Sequence, residues 1–69
     1  MSHLTITLNG AARQVPGPMT LAGLLAHLDL DPRAVVVERN GAIVRRPSLA
    51  DTPVAAGDVI ELVHFVGGG

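Results

Sequence analysis

The segment HLTITL alternates, with Leu4, Ile6 and Leu8 on one side and His3, Thr5 and Thr7 on the other, the period of two expected of a half-buried strand. Asn9-Gly10 follows, a pair that accepts the positive φ values of a tight hairpin turn, so AARQV reads as the returning strand. Pro16-Gly17-Pro18 ends it, because two prolines remove ladder donors and fix φ. The period then changes. Leu21, Leu24, Leu25 and Leu28 fall at i, i+3, i+4 and i+7, one apolar face of a helix that tolerates Gly23. Thr20 stands at the N-cap position, with Met19 and Leu24 spaced for a hydrophobic staple. Asp31-Pro32 predicts the helix stop, since the residue before proline is pushed out of the α region.

RAVVVERNGAIVRR reads as two more strands around a second Asn-Gly, although three consecutive valines leave open which face points inward. PSLADTP is a crossover loop with a short helical turn around Ser48 to Asp51. Gly57-Asp58 marks a turn before the last strand. There, Ile60, Leu62, His64 and Val66 share one face, and Val59, Glu61, Val63 and Phe65 share the other. The order strand, strand, helix, strand, strand, loop, strand predicts an α+β domain: a mixed sheet of about five strands with one main helix, of roughly two to three turns, on one face. The other face stays open, so Val63 and Phe65 beside the end of the chain form an expected docking patch.

Composition narrows the function. At 69 residues the chain is one domain that buries only ~60% of its unfolded surface, which disfavours a large active-site cleft. Phe65 is the only aromatic residue, so stacking on nucleic-acid bases has almost nothing to work with. The net charge is −1 and the arginines are scattered, giving no footprint for a phosphate backbone or an anionic membrane. There is no cysteine, and MSHLTITLNG is too short and polar for a signal peptide. A cytoplasmic location is expected. There is no lysine either, so no side-chain amine could link copies of the chain to one another. The three histidines lack metal-ligand spacing and no metal is expected. His64 reads as a core-facing, hydrogen-bonded structural residue, Arg45 and Arg46 as solvated strand-end charges, and Asp58 as a turn residue.

The ending VHFVGGG, together with NGAIV after a strand, an arginine soon after it, and GD opening the final strand, is similar to the C-terminal half of the ThiS family. The likeness extends over essentially the whole chain, in pattern more than in identity in the first half. Relatives often carry a tryptophan near Leu49, a departure that bears on packing under the crossover loop. The resemblance implies the β-grasp (ubiquitin-like) fold, with residues 1–66 as the domain and 67–69 as a reactive tail.

The resemblance also implies a role: a sulfur carrier for thiamine thiazole synthesis, itself not an enzyme. An E1-like adenylating enzyme (ThiF type) would use ATP to adenylate the Gly69 carboxylate. Sulfur from a donor such as a cysteine desulfurase would convert it to a thiocarboxylate, and thiazole synthase (ThiG type) would take that sulfur. Gly67 and Gly68 would thread the partner's channel, and Val63, Phe65 and Val66 would bind the partner. No cofactor would be held beyond these covalent forms, and the free carrier would be a monomer. Glycine suits the thread because it has no Cβ and accepts both signs of φ. Two alternatives remain open: a sulfur carrier for molybdopterin or cysteine synthesis, and a β-grasp interaction module or protein modifier that handles no sulfur.

Overall fold

The alternating segment forms β1 (His3–Leu8), and Asn9 (φ 48°) with Gly10 (φ 84°) turns it into β2 (Ala11–Pro16). The second Asn-Gly behaves alike: Asn40 (φ 52°) and Gly41 (φ 86°) join β3 (Val35–Arg39) to β4 (Ala42–Val44). The last strand, β5 (Val59–His64), lies between the two hairpins, giving the order β2-β1-β5-β3-β4. It runs parallel to β1 and antiparallel to β3. The chain is described here by a computed structural model covering residues 2–65.

Helix α1 (Leu21–His27) lays Leu21, Leu24 and Leu25 on the sheet. They close a core with Ile6, Leu8, Val15, Val37, Ile60 and Leu62. Thr20 caps the helix as expected, its Oγ1 accepting the Gly23 N–H at 3.1 Å, and Met19 packs against the core before it. The Leu21 N–H donates to the Thr52 carbonyl at 2.9 Å, and the Val54 N–H to that of Met19 at 2.9 Å. The crossover loop thus supplies an acceptor for one donor that a helix start leaves unpaired and in turn donates to the residue before the cap.

The helix ends sooner than Asp31-Pro32 predicts. Asp29 takes a left-handed conformation (φ 61°), and the N–H groups of Asp29 and Leu30 bond back to the Ala26 and Leu25 carbonyls at 3.1 and 2.9 Å. This is a Schellman closure with aspartate in the place glycine usually holds, and it leaves about two turns of helix. Asp31 then caps a separate 3-10 turn (Pro32–Ala34), accepting the Arg33 N–H. The crossover loop contains a 3-10 helix (Arg46–Asp51), longer than the single turn expected, and buries Leu49 against the core. Among the three valines, Val35 and Val37 point inward and Val36 is half-buried, which settles the facing that the sequence left open.

Candidate functional site

Because β5 is central, its outward side chains fall in the middle of the open sheet face and not along an edge. Strand parity does the sorting. Ile60 and Leu62 are buried, whereas Val63 and Phe65 are 58% and 60% exposed. The register places Val63 opposite Val36 on β3, and Ile43 on β4, 64% exposed, opposite Glu38. Four exposed large apolar side chains, Ile43, Val59, Val63 and Phe65, therefore share one side of a sheet whose other side is filled by α1. The backbone of this strand stays engaged to its last described residue, where the Phe65 N–H donates to the Ala34 carbonyl at 3.0 Å. The patch expected at Val63 and Phe65 is thus present as an exposed surface. The expected roles of Val66, Gly67, Gly68 and Gly69 fall on positions outside the described residues.

Both hairpin asparagines contribute more than turn geometry. The Asn9 N–H donates to the Ile60 carbonyl at 2.9 Å, while its Oδ1 accepts the Leu62 N–H at 2.8 Å. Asn40 repeats the device on the other side, donating its N–H to the Val59 carbonyl at 2.7 Å and accepting the Val59 N–H on Oδ1 at 2.9 Å. The two turns therefore pinch the start of β5 between them.

Two sequence expectations change at this strand. Asp58 does sit in a turn, closing it through its N–H to the Ala55 carbonyl at 3.1 Å after Gly57 (φ 84°). Its side chain, however, is buried and acts as a hub. Oδ2 accepts from Arg39 Nε at 2.9 Å and from the Ala55 N–H at 2.8 Å, and Oδ1 accepts from Asn40 Nδ2 at 3.1 Å. Burial pushes the Asp58 carboxyl pKa up, but the bonds from the Ala55 N–H, the Arg39 guanidinium and the Asn40 amide together outweigh it and hold the pKa below the ordinary carboxylate range. His64 is the second correction. It has the inward register, opposite Val35, yet it is exposed and its ring makes no hydrogen bond among the described residues. The helix–sheet sandwich opens there into a groove lined by Arg13, His27, Asp29, Leu62 and His64, so no packed layer covers the ring. Arg45 and Arg46 are exposed, as expected.

A mixed five-stranded sheet gripping one short helix, with the last strand central and its outer face bare, defines the β-grasp class. The chain belongs to the ThiS family, whose family model matches residues 6–69. It is 44% identical over 50 residues to the sulfur carrier protein ThiS of Bacillus subtilis, covering 72% of this chain and 76% of that protein. It is also 42% identical over 66 residues to a thiazole synthase of Paramagnetospirillum magneticum. That match covers 96% of this chain but only 20% of the relative, so the chain spans a fifth of that protein's length. The crystal structure of the thiamine biosynthesis protein ThiS from Geobacter metallireducens superimposes with a TM-score of 0.82 at 33% identity, over 96% of this chain and all of that one. The sequence reading of family and fold agrees with these matches.

Proposed function

We propose that this chain is a sulfur carrier that serves thiazole formation in thiamine synthesis, with residues 1–66 as the grip and residues 67–69 as the reactive tail. A carboxylate with a pKa of about 3.3–3.7 is ionised at neutral pH and resists nucleophiles. In this reading, an E1-like enzyme joins the Gly69 carboxylate to the α-phosphate of ATP and releases pyrophosphate. A persulfide, passed on by a cysteine desulfurase, attacks the acyl carbon and displaces AMP. A thiol then reduces the resulting acyl disulfide and frees the thiocarboxylate, which thiazole synthase uses as its sulfur nucleophile. The carrier is a co-substrate regenerated in each cycle, and it acts as a cytoplasmic monomer when free.

The observation that carries this reading is the exposed pair of Val63 on the central strand and Phe65 just past its end, two residues before the tail begins. Ordering a glycine thread inside an enzyme costs on the order of 1–2 kcal/mol per residue, so contact energy must come from a surface close to the thread. Similarity to a protein named thiazole synthase favours the thiazole pathway over other sulfur acceptors. Incubation with an E1-like adenylating enzyme of the ThiF type, ATP and a sulfur source should shift the intact mass by one oxygen-to-sulfur replacement, and one alanine added after Gly69 should abolish the shift. Phe65→Ala should weaken binding to that enzyme while changing stability by less than about 0.5 kcal/mol, as at an ordinary surface site. No mass shift under conditions that charge another ThiS protein would refute the proposal.

A further inference from the structure

The open sheet face contains a pairing that strand chemistry disfavours. Glu38 on β3 lies directly opposite Glu61 on β5, and side chains so placed are about 4.5–5.5 Å apart at Cβ, where like charges repel. Among the described residues, no arginine makes an ion pair with either of them. Arg13 and Arg39 occupy helix-side positions, opposite Ile6 and Ile60. The ion pairs among the described residues are Arg33 with Asp31 and Arg39 with Asp58. His3 is the one other titratable side chain at an open-face strand position. Conflicts of this kind between local rule and fold tend to fall at functional sites.

The neighbours of the pair say what would resolve it. Val63 and Val36 form the adjacent row, Ile43 lies next to Glu38, and Phe65 stands beyond Val63. A protein that covers Val63 and Phe65 and extends along β5 removes water from Glu61, which lies next to Val63 on the same face of the same strand. Burying two unpaired carboxylates is costly, so the covering surface must bring positive charge. A guanidinium suits the task, because its planar fork of five N–H donors can serve two carboxylates at once and is weakly hydrated.

We propose that Glu38 and Glu61 together form a receptor for one arginine side chain of the protein that docks on Val63 and Phe65. This rests on the reading of that face as the docking surface for the adenylating enzyme. It also gives the pair a reason to exist: the repulsion stored in the free carrier is relieved on binding, which adds to specificity for a partner with a cation at that point.

The test measures affinity for the adenylating enzyme at low and high salt, together with thermal unfolding of the carrier alone. The double variant Glu38→Gln/Glu61→Gln should bind about tenfold or more weakly at low salt, with a flatter salt dependence, and should melt no lower than the parent. Glu61→Lys should raise the melting temperature by pairing with Glu38, yet bind more weakly than Glu61→Gln. Parent-like binding by these variants, with Phe65→Ala still impaired, overturns the arginine receptor and leaves the docking face standing. Parent-like binding by Phe65→Ala as well overturns the docking reading itself. A lowered melting temperature in both the double variant and Glu61→Lys assigns the pair a structural role and also overturns the inference.

Discussion

Replacing Asp58 by asparagine tests whether the start of β5 is held by charge or only by shape. The change keeps the volume and removes the negative charge facing Arg39. It cannot keep all the hydrogen bonds. Oδ2 faces two donors, Arg39 Nε and the Ala55 N–H, so the new amide must keep its oxygen there and turn its NH2 toward Asn40 Nδ2. Asn40 cannot flip to accept, because its Oδ1 already takes the Val59 N–H. One bond to a charged group is weakened and one donor faces another. Bonds to charged groups contribute about 1.5–3 kcal/mol, and breaking a fully buried ion pair costs about 3–5 kcal/mol. The Arg39 side chain keeps 30% exposure, which places the expected loss at about 2–3 kcal/mol, below that of a fully buried pair. For a domain of this size that corresponds to a melting temperature lower by roughly 10–20 °C. Urea unfolding followed by circular dichroism at several pH values is the assay. The folded pKa of Asp58 is depressed, so its stabilisation is full above the unfolded value of about 3.9 and is lost as pH falls through the folded one. The gap between parent and variant should therefore narrow as pH falls below about 4. A gap under about 0.5 kcal/mol at pH 7, or one undiminished at pH 3, refutes the reasoning.

Gly17→Ala should lower the urea midpoint, because a Cβ there would stand 2.7 Å from Leu4 Cγ and 2.9 Å from its Cδ1, and such overpacking costs about 1–3 kcal/mol; parent-like stability would mean that Leu4 gives way freely. Leu49→Ala should cost about 2–5 kcal/mol, since this side chain is 3% exposed and seats the 3-10 helix of the crossover loop on the core. Thermal unfolding reads it, and a loss below 1 kcal/mol would show that the loop contributes little to the core.

What the sequence made legible was whatever depends on near neighbours in the chain. Both Asn-Gly turns, the Thr20 cap and the parity of β5 follow from the period of two and from local turn chemistry, and these sufficed to pick out Val63 and Phe65. The helix stop was misplaced because two local signals compete, and the left-handed Asp29 acts before the constraint imposed by Pro32 is reached. Asp58 was underread for a different reason: its partners Arg39 and Asn40 lie 19 and 18 residues away, and no local pattern announces a bond across that distance. The Asn9 link to Leu62 spans 53 residues and was hidden in the same way. His64 has the parity of a core residue, but whether a packed layer extends over it depends on where the helix ends. The opposition of Glu38 and Glu61 is a matter of register between strands far apart in sequence, which only the fold specifies.

These long-range bonds bear on function through a single strand. Inward residues Ile60 and Leu62 anchor β5 in the core, while its outward residues remain free to meet a partner. The bonds from Asn9 and Asn40, with the Asp58 hub beside them, concentrate at the strand's beginning, through Leu62. Past that point the described backbone bonds run to the β3 side, ending with Phe65 and Ala34. The strand is therefore clamped at its root on both sides and, as far as Phe65, on the β3 side alone. Parity keeps the two requirements separate, because a residue cannot face both the helix and the open side. Firm anchoring and an exposed outward row can then coexist on the six residues of β5 without either weakening the other.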